Sequence, residues 1–244
     1  MKNEEKIFEI IRFTVEDKRY LPASKETDKF MKQMKKYNYV KYNEINIPLG
    51  KSRYGGCVID LPKTVQHPKN MRFAAQLDLS EFSPFDKLGL LPKTGQLIFF
   101  ANIMEDTGKV FYANVPNNEL ERHIVAHEDN FWEGILIDKI YAETETLSER
   151  FTEPENEEDK KYANKEGKIW DDFKGSDKNK IFGIYTNCQL GEEEIEEITF
   201  SNQIVLLQVG ENGFVDEGVF SVLINKKDLQ NKHFNNCKFV WAQS

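Results

Sequence analysis

Apolar residues recur along this chain with two different periods, and each period predicts a different kind of element. Between residues 4 and 16 the apolar positions fall at helical spacing, which predicts an amphipathic first helix: Ile7, Ile10, Ile11 and Val15. Pro22 and Ser24 then interrupt the pattern. A second set with lysines opposite it predicts a second helix: Phe30, Met31, Met34 and Tyr37. We expect both N-terminal helices to pack on a sheet.

From Ile45 onward the period shortens. Short apolar runs, rich in aromatic and β-branched residues and separated by Pro, Gly and Asn, predict strands: MRFAAQLDL, GQLIFFANI, KVFYANV, GILIDKIYAET, EEITFSNQIVLLQV, GVFSVLI and CKFVWAQ. Strands and helices do not alternate regularly, which disfavours a doubly wound parallel sheet. The pattern therefore predicts a mixed α+β fold with a mostly antiparallel sheet.

Two pairs of strands echo each other in sequence. FAAQLDL followed by GQLIFF resembles IVLLQVG followed by GVFSVLI, with Gln76 matching Gln208 and Gly95 matching Gly218. This echo predicts two related halves. A polar, acid-dominated stretch between them predicts an exposed connection. We therefore expect one domain over residues 1–244, divided into a helical region (1–40), a first half (45–142), an acidic connection (143–168) and a second half (169–244).

The charge balance limits the classes of partner, and the N-terminal sequence and the apolar runs indicate the compartment. Lys plus Arg total 33 against 41 Asp plus Glu, a formal net charge of −8. Such a balance without a basic block argues against a nucleic-acid partner. The first residues lack the apolar core of a signal peptide, and no apolar run approaches the roughly 20 residues that span a bilayer. We expect a cytoplasmic protein that does not bind membranes.

Chemical motifs are scarce. Cys57, Cys188 and Cys237 are widely separated, which fits a reducing compartment and excludes a disulfide framework or a zinc ribbon. The sequence contains no nucleophile elbow, phosphate loop or metalloprotease motif, so it assigns no catalytic residue and no cofactor. His123 and His127 are the best metal candidates, beside Glu128 and Asp129. A zinc site needs a third ligand, and two exposed polar residues in a hairpin are the simpler interpretation.

Five blocks of sequence resemble, in order, motifs of the YwqG-like proteins, a bacterial family of unknown function. The first is a Ser-basic-apolar-Gly-Gly signature followed by Leu-Pro, and all five are SRYGGCVIDLP (residues 52–62), FAAQLDL, LLPKTGQLIFF, NQIVLLQV with DEG, and VLINKKDLQNKHFNNCKFVWAQS. One departure lies in the fourth block, where Phe214-Val215-Asp216 stands in place of the family's Trp-Gly-Asp. The resemblance implies a mixed α+β fold with two related halves.

The matched residues also define a candidate binding site: Arg53, Gly55, Gly56, Gln76, Gln208, Asp216 and Gly218. Adjacent glycines allow backbone conformations or close approaches that other residues forbid. Buried glutamines must be hydrogen-bonded. Arg53 has two candidate partners, Asp216 in a cleft between the halves and Asp60 at the surface. The structural interpretation of the same set is that it maintains the fold.

Two functions follow as expectations. The resemblance extends distantly to the programmed-cell-death-two group, which are chaperones for a ribosomal protein, and this favours a protein- or peptide-binding module, chaperone-like or an accessory or immunity factor. An acidic surface would attract a basic partner. The alternative is a small-ligand binder or a hydrolase-type enzyme that uses Arg53 and Asp216 in a cleft.

Overall fold

The computed structural model describes residues 6–127, 131–211, 213–214 and 218–243, and most of its regular structure is β-strand. The strands in this part of the chain are β1 Phe8–Leu21, β2 Asn38–Lys41, β3 Arg53–Tyr54, β4 Val58–Pro62, β5 Arg72–Asp78, β6 Gln96–Asn102, β7 Thr107–Ala113, β8 Leu120–Ile124, β9 Gly134–Glu145, β10 Phe151–Thr152, β11 Ile169–Trp170, β12 Lys180–Phe182, β13 Gln203–Val209, β14 Gly218–Asn225 and β15 Lys238–Gln243. The helices are α1 Lys25–Gln33, α2 Leu79–Phe82, α3 Glu192–Phe200 and α4 Lys226–Gln230.

The first predicted helix is wrong, because residues 8–21 form the longest strand, β1. Every second residue of its first half, Ile11, Phe13 and Val15, faces the main core. The buried side chains therefore repeat every two residues, as in a strand, rather than every 3.6 residues, as in a helix. Ile7, which the helical pattern had placed on the apolar stripe, is 62% exposed. β1 is bonded to β9 on one side and β12 on the other, a central position that suits its many branched and aromatic residues.

The second predicted helix is present only as α1, which begins after the cap residue Ser24 and ends before Met34. Phe30 packs edge-on against Tyr39 of β2, with ring centroids 5.3 Å apart. The described residues therefore contain no layer of N-terminal helices packed on the sheet. The α+β assignment is wrong for this reason, and the fold is mostly antiparallel β.

One sheet holds most strands, in the order β15-β14-β13-β12-β1-β9-β3-β5-β6-β7, with β2 bonded to β1 in parallel. Its two ends nearly meet: Asp106, before β7, accepts a hydrogen bond of 3.1 Å from the backbone N–H of Trp241 in β15. A Cβ atom on Gly108 would lie only 2.3 Å from the Phe239 ring, so the two end strands are tightly packed. A nearly closed, barrel-like sheet is thus found in place of the predicted sheet with N-terminal helices packed on it.

Both faces of this sheet are covered. Phe99 of β6 and Phe220 of β14 belong to the same internal core although their strands lie near opposite ends of the sheet. The outer face near β5 and β6 is covered by a separate two-stranded sheet of β4 and β8, and the outer face near β13 packs against Leu147 and Ile195. Polar side chains on the outer face are therefore enclosed between the sheet and these covering segments.

Residues 143–168, predicted as an exposed connection, begin inside β9 and include β10. Glu145, Leu147 and Arg150 are buried, whereas most side chains from 153 to 168 are exposed. The first part of this stretch is therefore a covering segment of the sheet.

Candidate functional site

Arg53 is fully buried at the centre of a polar network beneath the two-stranded sheet of β4 and β8. Its Nε donates to the carbonyl of Val58 (3.1 Å) and its Nη1 to the carbonyl of Lys51 (2.6 Å). Its Nη2 donates to Asp60 Oδ2 (3.1 Å) and to Gln76 Oε1 (2.8 Å). All three guanidinium nitrogens thus bond to protein acceptors, and the side chain has no exposed surface with which to reach a ligand.

Asp60 is the carboxylate that pairs with Arg53, and it accepts hydrogen bonds from two arginines. Arg122 donates to it through Nε (2.8 Å) and Nη2 (3.0 Å), and the backbone N–H of Gly50 adds a further bond of 2.9 Å. Burial would raise the pKa of Asp60, but the hydrogen bonds from Arg122 and the charge of Arg53 outweigh it and hold the pKa below its usual range. The pairing of Arg53 with Asp60 is thus the one observed, fully buried rather than at the surface.

Side-chain amides extend this network along the sheet. Gln76 is paired with Arg53 across β3 and β5, and its Nε2 donates to Gln96 Oε1 (3.1 Å). Gln96 donates to Asn117 (2.7 Å), which in turn donates to Asp78 (2.7 Å). The chain of bonds joins the main sheet to the segment before β8, so it fastens the covering two-stranded sheet to the barrel.

Gly55 and Gly56 are needed where the chain turns between β3 and β4. Both have positive φ, +60° and +96°. A Cβ on Gly55 would lie 2.1 Å from the carbonyl oxygen of Glu133, and one on Gly56 would lie 2.2 Å from the Tyr20 hydroxyl. The signature glycines therefore serve backbone conformation and close approach together.

Tyr54 of the signature segment contacts Phe214, which stands where the family has the Trp of Trp-Gly-Asp, and the contact is between aromatic rings. Phe214 stacks on Trp132 with centroids 4.5 Å apart and contacts Tyr54 edge-on at 5.6 Å. Arg19 donates to the carbonyl of Gly213 (3.0 Å), which ties the turn to β1. Asp216 lies outside the described residues. Gly218 opens β14, where a Cβ would lie 2.5 Å from the indole of Trp241.

A second buried ionic network surrounds Lys180 in β12. Its Nζ donates to both carboxylate oxygens of Glu145 (2.9 and 2.6 Å) and to the carbonyl of Ile184 (2.7 Å). Burial would raise the pKa of Glu145, but the charges of Lys180 and Lys178 outweigh it and lower the pKa to about 2. Burial also lowers the pKa of Lys180, to about 7. Lowered lysine pKa values occur in active sites, yet this amine is fully buried and has three acceptors, which indicates a structural role.

Gln208 belongs to this second network and not to that of Arg53. It is paired with Lys180 across β12 and β13, and its Nε2 donates to the carbonyls of Gly175 (3.0 Å) and Lys178 (2.8 Å). The structure thus brings Arg53 and Gln76 together but places Gln208 elsewhere. Sequence reasoning missed Lys180 as a buried partner, although a charged residue directly before an apolar run was a signal for it.

The thiols and imidazoles form no reactive centre in the described part of the chain. Burial raises the pKa of both Cys57 and Cys237 to about 12, so both thiols are protonated at neutral pH. His123 lies in β8 opposite Ile59. Within the described residues no group of three or more His, Cys, Asp or Glu could hold a metal ion. Glu128 and Asp129 lie outside those residues.

Negative charge is concentrated in one stretch of the chain. Residues 143–200 hold 17 acidic and 8 basic residues, a formal charge of −9, whereas the whole chain carries −8. We call this stretch the acidic region. It contains two of the surface cavities, one of about 420 Å³ beside Glu145 and Arg150 and one of about 310 Å³ beside Tyr162 and Trp170. The rest of the chain is close to neutral, so the net negative charge of the protein comes from this region.

The larger cavity is lined by ionic groups that are already paired. Arg150 donates to the carbonyl of Lys174 and to the Thr186 hydroxyl (2.7 Å). Glu145, at the same cavity, accepts from Lys178 (3.1 Å) in addition to Lys180. Its charges thus hold residues 174–178 against the sheet, and the arrangement suits structure better than ligand binding.

None of the helices within the described ranges is both long enough and apolar enough to cross a membrane. A family profile described as a domain of unknown function, DUF1963, matches residues 52–242. A comparison with curated proteins gives no match. The family match begins at the signature Ser52 and ends in β15, so it spans the networks of Arg53 and Lys180 and most of the barrel. The chain therefore belongs to the DUF1963 family.

Proposed function

We propose that this protein is a cytoplasmic protein- or peptide-binding module that recognises a basic partner through the acidic region. The observation that carries the proposal is the segregation of charge, with −9 on residues 143–200 and a nearly neutral remainder. A field of this kind steers basic partners to one face and sets the orientation in which they meet it. The YwqG-like motifs, and their distant similarity to chaperones of the programmed-cell-death-two group, support the same class of function by analogy.

Exposed aromatic side chains lie in the acidic region and supply apolar contact area. Tyr162 is 78% exposed and Phe173 is 50% exposed. Aromatic side chains are enriched at protein interfaces, where they provide most of the buried apolar area. The combination of acids and exposed rings fits a polypeptide partner better than a compact small molecule.

Arg53 gives no support to the alternative of a ligand-binding cleft or hydrolase. The side chain is fully buried, and each of its nitrogens donates to a protein acceptor. A ligand carboxylate or phosphate at this position would have to displace Asp60 and Gln76. We therefore assign the Arg53 network to the fold and the acidic region to recognition.

The test compares two charge-neutralised variants by affinity capture from native lysate. The first replaces four exposed acids of the acidic region, Glu153, Glu155, Glu193 and Glu197, by Gln. The matched control makes the same change in net charge at four exposed acids elsewhere: Glu16→Gln, Asp17→Asn, Glu105→Gln and Glu119→Gln. We expect wild type and control to retain a basic protein that the first variant loses. Equal retention by both variants, or no retained protein, would refute the proposal.

A further inference from the structure

The smaller cavity of the acidic region combines aromatic walls with carboxylates. It encloses about 310 Å³ and is lined by three aromatic and three acidic side chains: Phe151, Tyr162, Trp170, Asp159, Asp172 and Glu192. Two of the rings are fixed by the short β10–β11 ladder, in which Phe151 is directly opposite Trp170 and the rings meet edge-on at 5.4 Å. The pocket therefore has a defined aromatic wall, although the chain around it is irregular.

The carboxylates of this pocket differ from the buried acids described above. Asp60 and Glu145 each have two cationic partners from the same chain. Within the described residues, no cation lies within ion-pair distance of Asp159, Asp172 or Glu192. The lining thus holds three acids against one lysine, Lys168, and carries a formal charge of −2.

The titration of two of these acids supports this description. Burial raises the pKa of Asp172, and the neighbouring charge of Asp171 acts in the same direction. Burial also raises the pKa of Glu192, together with the charges of other glutamates on α3. A cation placed between these carboxylates would remove that unfavourable interaction.

A lysine or arginine side chain suits this pocket on two counts. Its charged end is attracted both to carboxylates and to the faces of aromatic rings within about 6 Å. Its aliphatic stem can pack along apolar surface while the charge stays near water. The volume is at the lower limit for ligand pockets, about 300 Å³, which fits one side chain better than a cofactor.

We propose that the Phe151–Trp170 pocket receives a lysine or arginine side chain of the basic polypeptide that binds the acidic region. This inference rests on the proposed function and names the contact by which that face selects its partner. Lys168 also lines the pocket, and its ammonium group competes with the incoming cation. Replacing this lysine therefore strengthens binding, whereas replacing the acids weakens it.

The probe is a hexalysine peptide with blocked termini, titrated calorimetrically at low and at physiological ionic strength. We expect the double variant Asp172→Asn, Glu192→Gln to bind roughly tenfold more weakly, since an exposed ion pair contributes up to about 1 kcal/mol. The matched control Glu153→Gln, Glu197→Gln makes the same charge change at acids outside the pocket, and we expect about a twofold effect. Lys168→Gln should bind at least about twofold more tightly.

Two further variants test the aromatic wall. Tyr162→Ala should weaken binding about two- to fivefold, while Tyr162→Phe keeps the ring and the affinity. The indole N–H resonance of Trp170, assigned through Trp170→Phe, should shift on titration, whereas those of Trp132 and Trp241 should not. Thermal melting of each variant checks that these exposed substitutions leave the protein folded.

The outcomes separate this inference from the proposed function. If hexalysine binds but the pocket variant and its control lose affinity equally, or if the Trp170 resonance does not move, the pocket assignment is overturned while the acidic region remains a binding face. If the lysate partner is retained by the wild type but hexalysine does not bind, insertion of a basic side chain is also overturned. If neither the lysate partner nor hexalysine binds, both proposals fail.

Discussion

Replacement of Asp60 by Asn is the most direct test of a structural role for the signature network. The substitution preserves the shape of the side chain but removes the only charge that compensates Arg53 within the bonds observed. Both side chains are fully buried, so water cannot take over the solvation of the guanidinium. The backbone N–H of Gly50 and the guanidinium of Arg122 lose a charged acceptor at the same time.

The size of the effect follows from burial. Breaking a buried ion pair by neutralising one partner costs about 3–5 kcal/mol, because the remaining charge is buried without compensation. For a chain of this length each 1 kcal/mol lowers the melting temperature by roughly 2–4 °C, so we expect a decrease of roughly 6–20 °C. Surface substitutions, in contrast, usually change stability by less than about 0.5 kcal/mol.

The assay is guanidinium denaturation of wild type, Asp60→Asn, Arg53→Met and the double variant. If the two residues act as a pair, the double variant loses less stability than the two single variants together, with a coupling of about 1–3 kcal/mol. Asp138→Asn, at an exposed acid of β9, is the control for the chemical change alone. A loss below about 1 kcal/mol for Asp60→Asn, or strictly additive effects, would refute the structural role.

Three other predictions concern pH, backbone and core. The pKa of Glu145 falls from 4.5 to about 2 on folding. A carboxyl group whose pKa is lowered in the folded state stabilises the protein at pH values above its unfolded pKa, so about 3 kcal/mol of the free energy of unfolding should be lost as the pH falls from about 5 towards 2. Glu145→Gln should make the stability less dependent on pH over this range. Gly56→Ala should destabilise the protein by more than about 2 kcal/mol, because the new Cβ would lie 2.2 Å from a buried tyrosine hydroxyl. The control Gly89→Ala, also at positive φ but with nothing within 4 Å of a Cβ, should cost only about 1 kcal/mol. Equal losses of stability in thermal denaturation would contradict the steric argument. Phe214→Ala should cost about 3–5 kcal/mol in the same assay, because Phe214 stacks on Trp132 inside the core; a loss below about 1 kcal/mol would show that this aromatic contact is dispensable.

Sequence periodicity predicted most strands after residue 45 but failed in β1 for a physical reason. Ile7, Ile10, Ile11 and Val15 match a helical stripe only if Phe13 is ignored. A central strand covered on both faces can bury consecutive residues, as Ile10 and Ile11 show, and then loses the strict alternation that distinguishes a strand. Residues 8–21 form a strand because they pair with β9 and β12, which are distant in sequence and give no signal within the segment itself.

For the candidate residues, the sequence predicted local conformation and hydrogen bonding only where the residue type itself limits the possibilities. The glycines required positive φ, and Gln76 was expected to be hydrogen-bonded if buried; both expectations rest on local chemistry. The separation of Gln208 from Arg53 was not predictable, because it depends on which strands are neighbours in the barrel. Likewise, Asp60 was correctly considered as a partner of Arg53 but was placed at the surface, since the sequence does not show that β4 pairs with the distant strand β8 and packs on the barrel.

The residues that make the chain resemble its family and those that we propose as a recognition surface lie in different parts of the molecule. Arg53, Gly55, Gly56 and Gln76 are enclosed, and the hydrogen bonds of Arg53 and Gln76 hold β4 to the barrel. The acidic region, in contrast, carries its charge largely on exposed side chains and includes the stretch up to residue 168 that matches none of the motifs. Substitutions in the motifs should therefore lower stability and partner binding together, whereas substitutions of the exposed acids in the acidic region should lower binding alone. Measuring both quantities on the same variants distinguishes a shared fold from a shared function.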